Sequence, residues 1–190
     1  METKIIEGRS FENHDFVKAG MEAQVYEECQ FISCNFSGLS LSGCMFIDCV
    51  FISSNLSNSI LSKASFQDVD FRKCKMIGLK FDECNPLLLS FTFEDCMLNL
   101  SSFFQLKIPA TRFTRCNLQE VDFSETNLSK SLFQQSDLYK AVFDNTILED
   151  ADLRSAENYT LDPENNYIRG AKFSAIGLPG LLGKYDIQID

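Results

Sequence analysis

Residues 116–138 read CNLQEVDFSETNLSKSLFQQSDL, and a large apolar residue returns at every fifth place: Leu118, Phe123, Leu128, Phe133 and Leu138. A helix repeats its buried face every 3.6 residues and a strand every 2, so neither yields a period of five. Two places before each large residue stands a small one, as in Thr126-Asn127-Leu128 and Ser136-Asp137-Leu138. The simplest geometry puts the large residue i and the small residue i−2 on an inner surface and leaves the other three outside.

The period extends almost the whole length of the chain. Stepping in fives from Phe11 meets fifteen large apolar residues in succession, ending at Phe81. The register then slips by two residues across CNPLLLS (84–90), and a second run of fourteen goes from Leu88 to Leu153. Phe31, Phe51 and Phe71 fall twenty apart, and beyond the slip Phe93, Phe113 and Phe133 continue that column. Asn35, Asn55, Asn117 and Asp137 share another column, as a polar ladder on stacked coils would.

This pattern resembles the pentapeptide-repeat family, whose repeat is a small residue, Asp or Asn, Leu or Phe, then two polar residues. The resemblance covers roughly Phe11 to Leu153 and is greatest to the compact, single-rod bacterial members of the Qnr and microcin-immunity type. It implies an all-β fold, a right-handed quadrilateral parallel β-helix in which four pentapeptides make one turn. Each coil of such a solenoid buries its apolar side only against its neighbours. With coils about 4.8 Å apart, seven to eight of them would make a rod on the order of 35–40 Å long.

We expect residues 1–190 to form one such domain: repeats over about 11–153 with the slip near 84–90, then a final coil and C-terminal segment over 154–190. Asn85-Pro86 marks a turn, and Pro86 cannot donate a ladder hydrogen bond. The slip therefore reads as a bulge within one rod. In the tail, Leu178, Leu181, Leu182 and Tyr185 have helical spacing, while Tyr185, Ile187 and Ile189 alternate like a strand. These six residues read either as a helical and strand-like cap on the last coil or as a homodimer interface, the role this end has in many relatives.

Eight cysteines raise the question of metal or disulfides. Seven of them (Cys29, Cys34, Cys44, Cys49, Cys74, Cys96, Cys116) occupy i−2 of a repeat, where a compact, weakly polar thiol suits the inner slot beside a large apolar side chain. Zinc ligands would converge on one point, whereas these are spread along and around a rod. Stacked pairs such as Cys29 and Cys49 come within disulfide range, but we expect reduced thiols and no metal or cofactor. With no secretory leader or span of about 18 apolar residues visible, we expect a cytoplasmic chain.

Catalytic chemistry has little to work with. His14 is the sole histidine and sits at i−2 of the Phe16 repeat, a structural position. No phosphate loop, HExxH pair or nucleophile elbow occurs, so the chain reads as a non-enzyme. With 27 acidic against 17 basic residues, the net charge is −10, which disfavours direct contact with nucleic acid or anionic membrane and favours a basic partner. Folding the sequence into four sides places Asp82, Glu83, Asp122, Glu125 and Asp144 along one side, with Asp48, Asp68, Glu149 and Asp150 on the next. Lys63, Lys80 and Lys130 dilute them; Arg72, Lys73, Arg112, Arg115 and Arg154 lie elsewhere.

The family resemblance implies a protein partner, DNA gyrase or topoisomerase IV, bound by an acidic rod that imitates duplex DNA through Asp82, Glu83, Asp122, Glu125, Asp144, Glu149 and Asp150. Relatives that protect against quinolones carry projecting loops; this chain has only the slip near Pro86. The competing reading is a scaffold or adaptor that uses its flat sides, with Ile32, Ile52, Met97, Leu100 and Phe104 as outward apolar contacts.

Overall fold

The five-residue period becomes a coil because each repeat ends on a residue that turns the chain. In the computed structural model, which describes residues 4–21, 24–185 and 187–188, the i+2 position repeatedly takes a left-handed conformation. Twenty-three non-glycine residues have φ between 50° and 64°, from Asn13 through Asp48, Lys73, Glu125 and Asp150. Asn, Asp and glycine tolerate this region best, because a Cβ there crowds the following carbonyl. The i−1 position braces the corner: Asn or Asp side chains accept from the N–H two residues on, as in Ser57 N to Asn55 Oδ1 (3.1 Å) and Ser129 N to Asn127 Oδ1 (3.0 Å).

Eleven short strands occur among the described residues: β1 (Ile5–Glu7), β2 (Ser10–Glu12), β3 (Val25–Glu27), β4 (Gln30–Ile32), β5 (Met45–Ile47), β6 (Val50–Ile52), β7 (Ser65–Gln67), β8 (Val69–Arg72), β9 (Phe91–Glu94), β10 (Arg112–Thr114) and β11 (Leu132–Gln134). All pair in parallel, one coil to the next. β1, β3, β5 and β7 stack in one sheet; β2, β4, β6, β8, β9, β10 and β11 stack in a second. The seven strands of the second sheet span six turns, and bridges Leu132↔Asp152 and Asp152↔Lys172 carry it two rungs further. We call this side face one. Face two carries the ladder Asp15, Asn35, Asn55, Lys75, Met97, Asn117, Asp137; face three carries Lys80, Ser102, Asp122, Val142; face four carries the first sheet and then Lys107, Asn127, Ile147.

Inside, like stacks on like. The rings of Phe31, Phe51, Phe71, Phe93, Phe113 and Phe133 lie nearly parallel with centroids 4.6–5.4 Å apart, and rings on adjoining faces meet them edge-on. The small i−2 residues do more than fit. Ser54 Oγ donates to Phe31 O (2.9 Å), Thr126 Oγ1 to Phe103 O (2.7 Å) and Cys49 Sγ to Tyr26 O (3.3 Å), so each hooks a carbonyl of the preceding coil. That donor role explains why Cys, Ser and Thr interchange at this position. All eight thiols are free and buried, and burial pushes Cys49 and Cys116 up to about 12.

The slip corrects one expectation. Leu88 does not open the second inner run: it is 74% exposed, beside Leu87 at 70%. Four residues, 86–89, replace the two that face four uses elsewhere, between the bonds Asn85 N to Ala64 O and Val69 N to Ser90 O. Phe91 turns inward instead, opposite Val69, and its ring lies 5.4 Å from Phe81 and 5.3 Å from Phe93. Where the Tyr26–Phe46–Phe66 column lapses, the phenyl group at i−2 and Leu89 are both buried in the core, and face one continues unbroken from β8 to β9.

The ends differ. A four-residue helix, α1 (Phe16–Ala19), replaces a corner of the first coil. At the other end α2 (Pro179–Leu182) and a 3₁₀ turn, Gly183–Tyr185, cover Tyr159. A Cβ at Gly177 would collide with the Tyr159 hydroxyl and one at Gly180 with its carbonyl, so both glycines permit the close approach. This end is helical; residues 187–188 form no strand, and Ile189 lies outside the described residues.

Candidate protein-binding surface

On face three the coil aligns the anticipated carboxylates in three neighbouring columns. Asp122 follows Lys80 and Ser102 by direct bridges; by the same step Asp144 follows Asp82, Phe104 and Ser124, and Glu125 follows Glu83 and Gln105. Asp122 is fixed by the backbone, its Oδ1 accepting from Ser124 N at 2.9 Å, and Glu125 Oε2 accepts from Gln105 Nε2 at 2.8 Å. Glu149 and Asp150 lie round the next corner on face four.

Their electrostatic situations are unequal. Glu83 faces Lys80 at 3.7 Å and Glu149 faces Arg169 at 3.3 Å. Asp82 is half-buried, and one of its carboxylate oxygens is buried without a hydrogen-bond partner among the described residues. Asp122, Glu125, Asp144 and Asp150 make no ion pair among the described residues. The structure therefore brings Asp122, Glu125 and Asp144 together and separates them from Asp82 and Glu83 by the coil that carries Phe104 and Gln105.

Face one contrasts with this. Arg72 pairs with Asp70 (2.8 Å), Arg154 with Asp152 (2.6 Å), and Arg115 with both Glu94 and Asp95 (2.6 Å each). The Arg115 and Arg154 guanidiniums hold the carboxyls of Asp95 and Asp152 below the usual range. Arg112 is exposed and makes no ion pair among the described residues.

A further acidic line escaped the sequence reading in part. The corner between faces four and one carries Glu28 below Asp48 and Asp68, all three exposed and left-handed at φ 50–51°. The twenty-residue step was enough to find Glu28. Asp48, Asp68 and Asp70 also border a cleft of about 260 Å³ with Ser90 and Thr92, and Thr92 Oγ1 donates to Asp70.

At the C-terminal end Leu178, Tyr185 and Ile187 are exposed while Leu181 packs on the core and Leu182 is half-buried. Lys184 clasps Asp162 (2.8 Å) and Glu164 (2.6 Å), fixing this segment to the preceding loop. His14 stands over Phe16 with ring centroids 4.4 Å apart, and its Nε2 is buried without a hydrogen-bond partner among the described residues. No helix among the described residues is long and apolar enough to cross a membrane.

A four-sided parallel β-solenoid with five-residue sides, stacked aromatic columns and left-handed corners defines a class of repeat proteins. Models of a pentapeptide repeat region and of pentapeptide repeats in eight copies match residues 26–103 and 111–156, and the chain belongs to the pentapeptide-repeat family. No curated protein sequence matches significantly. Among solved structures, a trypsin-treated variant of QnrB1, a plasmid-mediated fluoroquinolone resistance protein, superposes with a TM-score of 0.64 at 17% identity, covering 99% of this chain and 98% of that one. HetL, involved in heterocyst differentiation regulation in the cyanobacterium Nostoc sp. strain PCC 7120, gives a TM-score of 0.66 at 15% identity, covering 90% and 85%. At such identities the likeness shows the fold alone.

Proposed function

We propose that this chain is a non-enzymatic, acidic binding rod whose partner is a type II topoisomerase, DNA gyrase foremost and topoisomerase IV second, engaged where that enzyme receives DNA. The observation that carries the reading is the set Asp122, Glu125, Asp144 and Asp150, aligned along adjoining faces and without an ion pair among the described residues, while the arginines of face one are largely neutralised by their own neighbours. A rigid row of carboxylates attracts a basic groove at long range, and binding of this kind weakens steeply with salt. The likeness to a quinolone-resistance protein agrees with this reading at the level of fold. The chain works in the cytoplasm, where its thiols stay reduced, and pairs through the exposed apolar residues of its C-terminal end into a homodimer.

Gyrase supercoiling, run with and without the purified rod and repeated with a fluoroquinolone, tests the proposal. Supercoiling or drug-induced cleavage should change in a dose-dependent, salt-sensitive manner. Unchanged activity at high micromolar rod would dismiss gyrase as the partner.

A further inference from the structure

A coil buries its interior only against neighbouring coils, so a rod is least complete at its two ends. At the N-terminal end β1 and β2 are the outermost strands of their sheets. At the other end the ladders of faces four and one stop, among the described residues, at Tyr167 and Lys172. The C-terminal segment lies over Tyr159 and Thr160. Burial shows the difference: Leu148 and Leu153 are fully buried, whereas Ile168 and Phe173, one coil further on, are only partly so, as is Ile6 in the first coil.

The two ends match each other in the coil's own register. Residues 5–12 fall over 167–174, which sets Ile5 over Tyr167, Ile6 over Ile168, Glu7 over Arg169, Gly8 over Gly170 and Phe11 over Phe173. Ile5 and Tyr167 are both more than half exposed, and Glu7 and Arg169 have opposite charge. Gly8 (φ 61°) and Gly170 (φ 74°) take the same left-handed corner.

The backbone is complementary as well. Each coil donates forward from the N–H of its inner residue and receives the next coil's N–H in return, as in Leu148 N to Tyr167 O (2.8 Å) with Tyr167 N to Thr146 O (2.9 Å). Face one repeats this with Leu153 N to Lys172 O (2.9 Å) and Lys172 N to Ala151 O (2.8 Å). Continued one step further, the N–H groups of Ile168, Gly170 and Phe173 meet the carbonyls of Ile5, Glu7 and Ser10 in another copy.

We infer that a second copy of this chain stacks its N-terminal coil on the C-terminal coil of the first, head to tail, through faces four and one. A heterologous contact of this kind leaves one end free on each side and so lengthens the rod instead of closing it. The contact does not depend on the topoisomerase reading, and it takes the end that a closed C-terminal dimer would also use. One residue opposes it. The Arg9 guanidinium lies over the Phe11 ring at 4.5 Å and must swing aside, as charged residues elsewhere blunt exposed strand edges.

Cysteine pairing between differently tagged copies of the full chain tests this, because the eight native thiols are buried and stacked Cα atoms about 4.8 Å apart suit a disulfide. Glu7→Cys protein mixed with Arg169→Cys protein and exposed to oxidised glutathione should give the mixed disulfide as the main dimer. The double variant should give a series of linked chains of increasing length. Ile5→Lys, a change at an exposed edge position, should cut the mixed product at least tenfold without lowering Tm, and Arg9→Ser, which uncovers Phe11, should increase it. Arg169→Cys chains joined chiefly to each other would reveal the closed C-terminal dimer and overturn the inference. So would absence of the mixed product, or a yield indifferent to Ile5→Lys.

Discussion

Faces one and three share a backbone, a period and an interior, yet they present opposite surfaces. Face one is a continuous sheet whose charges, Arg112 apart, largely answer one another: Asp70 with Arg72, Glu94 and Asp95 with Arg115, Asp152 with Arg154. Face three is held by isolated bridges, and its Asp122, Glu125 and Asp144 make no ion pair among the described residues. The coil consumes only i, i−2 and the conformation of i+2, so the remaining side chains are free to diverge. The interior specifies the rod and leaves the exterior of each side free to differ.

If the two faces are equivalent inside, Phe113→Ala on face one and Phe123→Ala on face three should destabilise alike, by about 3–5 kcal/mol each. Both rings are fully buried in unbroken stacks. Chemical denaturation reads this, and a large disparity would break the equivalence. Outside, the faces should part: Asp122→Lys/Glu125→Lys/Asp144→Lys is expected to cut affinity for gyrase by ~100-fold, a loss of close charge complementarity. Reversing Arg72, Arg115 and Arg154 should leave affinity within about threefold, because exposed, internally paired charges carry little net attraction.

Smaller effects refine the picture. Lys130→Gly, at a corner with φ 61°, should stabilise the rod by about 1 kcal/mol through relief of the left-handed Cβ. Acid should reach face one late. Asp95 and Asp152 have folded pKa values below the ordinary 3.8 because of Arg115 and Arg154, so their contribution is present above that value and is lost only as pH falls through the lower folded values. Carboxyl NMR titration would show this, and a midpoint at or above 3.8 for Asp95 would contradict it.

The period made most of the fold legible, since every fifth residue from Phe11 to Phe81 and from Phe93 to Leu153 keeps its place along the columns. Leu88 was misplaced because periodicity counts residues but not volumes. The register offered Leu88 to the interior, whereas the bulge buries Leu89 instead, together with Phe91, three residues beyond Leu88, which the pattern assigned to a small side chain. Phe91→Ala should therefore cost as much as a column phenylalanine, and Leu88→Ser almost nothing to stability. The acidic columns were legible from the twenty-residue step. Their freedom from ion pairs was not, because pairing depends on which way an arginine such as Arg115 reaches across the coil.

The most direct test of the account is the affinity of purified gyrase for three proteins measured at rising salt: the unaltered rod, the face-three reversal and the face-one reversal. The account predicts salt-sensitive binding by the first and third and its loss in the second with the melting temperature unchanged. Equal binding by all three, or none by the unaltered rod at low salt, would contradict it.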